Sequence, residues 1–181
     1  WAVTAPSDIS YVNGILNELN QGLTEDPYRL RSANGAKLGD SDLYLYVLYR
    51  DIYDEDTAET ITDNIYVCMP GDSADPDRCE IPDYDNATGS RPWAKANISA
   101  FYIADGVTGI GNYAFSGITT LKTLEIEDPS DLERVGEYAF NGCDQLRYST
   151  NSPLDLSSVT ELGQYAFNGC SSLSAVTLGS G

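Results

Sequence analysis

Four cysteines, 28 acidic side chains and no histidine set the chemistry open to this 181-residue chain. Without imidazole there is no Ser-His-Asp or Cys-His relay, no histidine metal ligand, and no general base that titrates unaided near neutral pH. The glycine-rich stretch GVTGIGNYAF (106–115) is followed by no Lys-Ser or Lys-Thr, and Gly109 and Gly111 lack the third glycine of a dinucleotide fingerprint. Glycoside hydrolysis by paired carboxylates needs one acid in an apolar, pKa-raising setting, and the sequence singles out no such pair. No catalytic residue, no cofactor and no enzyme activity are therefore expected. The densest acids lie in PGDSADPDRCEIPDYDNATGSRP (70–92), and carboxylates of this kind suit calcium. Asp83-x-Asp85 is followed by Ala87 where an EF-hand places another acid, and its glycine falls too late. The expected state of 70–92 is a solvated acidic loop, with calcium as the alternative.

The formal charge of −18 repels nucleic acid phosphates and anionic membrane surfaces, which removes both as expected partners. The longest strongly apolar run, Leu43 to Tyr49, is far shorter than the roughly 20 residues a membrane helix needs. No membrane insertion of this segment is expected. The chain opens on Trp1 with neither an initiator Met nor a signal sequence, as expected of a piece excised from a longer precursor.

The elements that would position any binding residues come from repetition. GEYAFNGC (136–143) returns as GQYAFNGC (163–170), and a looser copy, GNYAFSGI, occupies 111–118. Their phenylalanines, Phe115, Phe140 and Phe167, are 25 and 27 residues apart, a period that predicts a solenoid. Each unit also carries an L-x-x-Φ-x-Φ block, where Φ is apolar. Ile98, Leu121 and Leu173 are equivalent, as are Phe101, Leu124 and Val176, and the alternation predicts a short strand in each. Gly111, Gly136 and Gly163 are expected at tight backbone turns. One coil cannot bury its Phe alone, so the coils must stack.

The combined pattern V-x-x-I-G-x-x-A-F-x-x-C-x-x-L-x-x-Φ-x-Φ resembles the BspA-type leucine-rich repeat of bacterial and some parasite surface proteins. The resemblance covers about 98–181, with Ile118 in place of the usual Cys and an interruption after Leu146, where Pro153 predicts a bulge before the pattern resumes at Leu156. It implies an extracellular or cell-surface binding or adhesion scaffold. The partner would be a protein or glycan on a host or neighbouring cell. The alternative is a structural subunit that polymerises end to end, with Leu173, Val176 and Leu178 at the contact because no further block follows to cover them.

Cys143 and Cys170 share one apolar repeat position with Ile118, so both are expected as buried thiols within the repeat core. Cys68 and Cys79 lie outside the repeats and bracket part of the acidic loop. In the extracellular setting that the resemblance implies, they form a candidate disulfide worth roughly 3 kcal/mol. Two N-x-S/T triplets, at Asn86 and Asn97, would accept glycans in a eukaryotic secretory protein.

Residues 1–95 show no repeat. Ile9, Val12, Leu16, Leu19 and Leu23 share one helical face, with Ser7 or Asp8 as cap and Gly22 as stop. Strands are expected over 42–52 and 60–69, joined by an acidic turn. The overall expectation is an α+β chain: a small α+β unit over 1–95, containing the acidic loop and capping a parallel solenoid of about three coils over 96–181.

Overall fold

The computed structural model describes residues 2–85, 90–148 and 153–180. Among these described residues the one α-helix, α1, spans Ser10–Asn20. The Asp8 carboxylate accepts the Ser10 N–H at 2.8 Å, and Gly22 follows the helix in the left-handed region at φ 78°. The buried face is Val12 and Ile15, with Leu16 and Leu19 partly covered, whereas Leu23 lies beyond the helix and is exposed. Ile15 was not on the expected face. The helix meets the sheet along a line between Val12 and Ile15, three positions apart, so the contact stripe is narrow.

Among the described residues thirteen strands follow in chain order. Two short ones, β1 (Arg29–Leu30) and β2 (Ala36–Lys37), flank β3 (Leu43–Asp54), which forms a long antiparallel hairpin with β4 (Glu59–Pro70). Beside β4, in parallel and in sequence order, lie β6 (Ile98–Ile103), β8 (Thr123–Ile126) and β10 (Arg147–Tyr148). The hairpin is therefore the first edge of the solenoid's main sheet, and a domain boundary near residue 95 would fall between two paired strands, β4 and β6. The outer half of the hairpin runs past the β6 pairing, leaving Ile52 and Ile61 opposed and exposed.

A second parallel ladder runs β5 (Glu80–Ile81), β7 (Gly109–Ile110), β9 (Arg134–Val135) and β12 (Glu161–Leu162). Its first rung comes from the segment expected to be all loop. Pro76–Arg78 form a 3-10 turn there, and Ile81-Pro82-Asp83-Tyr84 then occupies the place of Ile110-Gly111-Asn112-Tyr113 in the next coil. The equivalence extends to hydrogen bonds: Tyr84 N–H donates to Asn112 as Tyr113 N–H donates to Glu137 and Tyr138 N–H to Gln164. This rung lacks the sequence signature of the others, and coil stacking holds it in place. Where the second copy was expected to lose its strand, the chain keeps the two residues of β10. It forms β11 (Leu154–Leu156) beyond residues 149–152, and β11 pairs in parallel with β13 (Val176–Leu178).

The interior is a column of rings. Trp93 stacks on Phe115 at 5.3 Å, Phe115 on Phe140 at 5.0 Å, and Phe140 on Phe167 at 5.2 Å, the last two pairs within 7° of parallel. Ala114, Ala139 and Ala166 are buried beside it, the small residues that let the rings approach. Gly111, Gly136 and Gly163 serve close approach between coils, not a turn. A Cβ would lie 2.3 Å from Pro82 O, 2.5 Å from Asn112 Oδ1 and 2.2 Å from Glu137 N respectively. The left-handed residues are instead Tyr113, Tyr138 and Tyr165 at φ 57°, 54° and 57°, a conformation costing about 1 kcal/mol or more per non-glycine residue. Their rings form a second column at 5.0 Å spacing, which offsets part of that cost.

The amino-terminal end of this stack is closed by side chains. In later coils Phe115 N–H reaches Ala139 O, and Gly117 N–H reaches Asn141 O. In the first coil Trp93 Nε1–H donates to Ala114 O at 2.8 Å, and Arg91 Nη1 donates to Ser116 O and Tyr113 O at 2.7 Å each. A buried indole and guanidinium thus replace the missing backbone donors.

Candidate functional site

The sheet built by β4, β6 and β8 has two faces. Ile98, Phe101, Ile103, Leu124 and Ile126 point to the ring column, while Ala100 and Tyr102 lie on the outward face. Helix α1 covers that outward face over β3, β4 and β6, packing Val12 and Ile15 against Tyr44, Tyr46, Ile65, Val67 and Ala100. A cleft of about 420 Å³ opens where the helix ends its cover and the rungs continue. The helix contributes Tyr11, Gly14, Ile15 and Glu18, and the rungs contribute Tyr102, Glu125, Ile126 and Glu127. A volume of this size lies within the range that holds a side chain or small ligand.

The cleft is aromatic and anionic, and among the described residues that line it none is basic. Burial, followed by the charges of Glu127, Glu125 and Glu18 and the neighbouring Tyr102 phenol, pushes the Tyr11 phenol upward. Tyr102 is raised by burial and by Glu125 and Glu18. Both phenols therefore stay protonated at neutral pH and present an O–H beside the carboxylates. One Glu127 oxygen accepts the Asp105 N–H at 2.9 Å, which fixes that carboxylate at the rim. Gly14 lies in the middle of α1 without a positive φ, and a Cβ there would meet nothing within 4 Å. Glycine in a helix interior costs roughly 1 kcal/mol relative to Ala, and here its visible consequence is an open cleft.

The residues singled out by sequence lie elsewhere. Phe115 and Phe140 are fully buried in the ring column, and Phe167 is half-buried at its carboxyl end. Cys143 Sγ–H donates to Phe115 O at 3.0 Å, and Cys170 Sγ–H to Phe140 O at 3.1 Å, so each thiol ties its coil to the preceding one. All four cysteines are free thiols, and Cys68 and Cys79 lie in the same core cluster. Burial pushes the Cys79 thiol up to about 11, and Cys68 is raised by burial and by Cys79 beside it. Leu173 and Val176 pack half-buried on the core, while Leu178, in register with buried Leu156, is 59% exposed. Among the described residues, the Tyr165, Phe167 and Gly169 N–H groups have no acceptor.

In the described part of the acidic loop, Glu80 and Asp83 are engaged by other coils. Asp83 accepts the Asn112 N–H at 2.6 Å and the Arg134 guanidinium at 3.2 Å. Arg134 also pairs with Glu80 and, at 3.2 Å, with Glu161. Glu80, Gly109, Arg134 and Glu161 form one column of the second ladder, and Gly109 leaves the gap through which Arg134 reaches Glu80. Among the described residues no group of three or more acidic or Cys side chains is placed to hold a metal ion. Ala87 of the calcium reading and the Asn86 acceptor lie outside the described residues, while Asn97 is exposed just before β6. No helix among the described residues is long and apolar enough to cross a membrane.

Sequence reasoning missed the cleft, since its walls come from the one helix and from repeat positions that face outward. The only local signal was Gly14 inside a helical pattern. Comparison with curated proteins and with solved structures gives no match. A family model described as the BspA type leucine rich repeat region matches residues 87–181 in six copies. That span is more than half of the chain and contains the ring column, the cysteine ties and the parallel rungs β6 to β13. The chain belongs to the BspA-type leucine-rich repeat family.

Proposed function

We propose that this chain is a non-enzymatic binding module that works outside the cell or on its surface, holding a protein or glycan of a host or neighbouring cell. The observation that carries this reading is the cleft between α1 and the outward rungs, the place where a concave, partly apolar surface meets convergent polar groups. The family supports a repeat scaffold for protein binding, and members of it are typically bacterial surface proteins. In such an oxidising setting we further propose that the Cys68 and Cys79 thiols lose two hydrogens to a disulfide oxidant and bridge the first coil.

The test is a panel of purified extracellular matrix proteins and glycans probed with labelled chain. Saturable binding to at least one component, lost in Glu125→Arg and kept in Tyr165→Ser on the turn column, is the expected result. Binding indifferent to the substitution on the rung face, or none at any concentration, overturns the reading.

A further inference from the structure

We propose that Asn168 is a self-modifying site, at which the backbone nitrogen of Gly169 displaces the side-chain amide and converts the residue to aspartate or isoaspartate. This inference is independent of the binding-module reading.

The sequence carries Tyr-Ala-Phe-Asn-Gly-Cys twice, at 138–143 and 165–170. Asparagine before glycine is the pair most open to this chemistry, because glycine has no side chain to hinder the approach of its nitrogen to the asparagine Cγ. The Gly169 nitrogen gives up its proton and bonds to Asn168 Cγ, the Cγ–Nδ2 bond breaks, and ammonia leaves. Water then opens the five-membered imide at either carbonyl, and is the only co-reactant. Asn13-Gly14 and Asn34-Gly35 have other neighbours and do not enter the comparison.

Local sequence makes the two copies equally reactive, so the structure decides between them. Along the turn column alternate N–H groups all point toward the next coil. Tyr113, Phe115 and Gly117 donate to Glu137 O, Ala139 O and Asn141 O, and Tyr138, Phe140 and Gly142 donate to Gln164 O, Ala166 O and Asn168 O. The Gly142 nitrogen is therefore held by a 2.8 Å hydrogen bond that must break before it can attack Asn141. The Gly169 N–H has no acceptor among the described residues, so no such bond restrains it. Asn168 and Gly169 are also exposed, whereas Asn141 and Gly142 are half-buried. The two side chains share one bond, from Asn168 Nδ2 to Asn141 Oδ1 at 2.8 Å, which favours neither.

The product changes this coil in two ways. Residues 163–181 contain no charged side chain, so the new carboxylate is the first charge on this stretch. Isoaspartate also routes the main chain through Cβ and Cγ, and the carbonyl that accepts the Gly142 N–H then leaves the peptide link. Both effects loosen the hold of the Phe167 coil on the coil before it.

The experiment keeps the full chain folded at mildly alkaline pH, samples it over weeks, then unfolds and digests each sample with trypsin. Cleavage after Arg134 and Arg147 places Asn141 on residues 135–147 and Asn168 on residues 148–181. Mass spectrometry reads the conversion of amide to acid in each peptide, and the same chain in concentrated urea supplies reference rates. Fragmentation of the second peptide, together with the variant Asn168→Ser, separates Asn168 from Asn151. In the folded chain Asn168 should convert at least about five-fold faster than Asn141, the factor set by one net backbone hydrogen bond. In urea the two should agree, and Asn168→Ser should remove the fast conversion from residues 148–181. Equal folded rates, faster conversion at Asn141, conversion confined to Asn151, or no conversion of the folded chain over a period in which the urea reference reacts would each overturn the proposal.

Discussion

Truncating the ring column at different heights should cost different amounts. Phe140 is fully buried, with rings on both sides at 5.0 and 5.2 Å. Phe140→Ala removes the transfer energy of the ring and leaves a cavity between two coils that cannot close without breaking the register of β7, β9 and β12. The expected loss is about 3–5 kcal/mol. Phe167 stacks on one side only and is half-buried, so Phe167→Ala forfeits one aromatic contact and less burial, about 2 kcal/mol. Glu137→Gln changes an exposed side chain whose counterpart in the next coil is already Gln164, and should stay within about 0.5 kcal/mol of the parent. Urea unfolding followed by Trp fluorescence and far-UV circular dichroism measures all three. Equal costs for Phe140→Ala and Phe167→Ala would refute the reasoning, because stacked coils make burial depend on a neighbour on each side.

Gly14→Ala should stabilise the chain by about 0.5–1 kcal/mol in the same assay, since the helix gains propensity and the new methyl meets no atom. The Asp75 N–H and then Arg78 beside buried Asp42 hold its carboxyl below the ordinary range. A depressed folded pKa stabilises above the unfolded value of about 3.9 and loses that contribution as pH falls through the folded value. Melting temperatures should thus drop below about pH 4 more steeply in the parent than in Asp42→Asn, and parallel slopes would exclude the site. Burial pushes the Cys143 thiol up to about 12 and the Cys170 thiol up to about 11. Native labelling at pH 8 should therefore be slow, with half-buried Cys170 first, and unfolding an unreduced sample should release two thiols in total if Cys68 and Cys79 bridge, four if they do not.

The repeat half was legible because each coil restates its requirements: an apolar pair before the glycine, Ala and Phe inside, and an alternating strand. At the Ile118 position Cys143 is buried in the core, while Cys170, one coil nearer the carboxyl end, is half-buried against it. What the repeats hide is conformation. The glycines lie where neighbouring backbones touch, and the left-handed turn falls on Tyr113, Tyr138 and Tyr165, whose stacked rings hold a shape that sequence preference assigns to glycine. The first coil was illegible since its contacts are met by substitutes. Pro82 stands for the glycine, Trp93 for the phenylalanine, and Arg91 for a backbone donor, so no spacing repeats. Arg134 binding Glu80, Asp83 and Glu161 is invisible for a related reason, as its partners lie in three different coils.

The cleft exists only if α1, the hairpin and the rungs form one rigid body, because α1 supplies one wall and β6 and β8 the other. Native-state hydrogen exchange along a urea gradient measures this directly, peptide by peptide. Amides of α1, β4, β6 and β8 should lose protection together at one denaturant concentration, with fraying confined to β11 and β13 at the less buried end. Loss of protection over residues 10–70 while 98–126 stay protected would make the two walls separate bodies and remove the cleft as a fixed site.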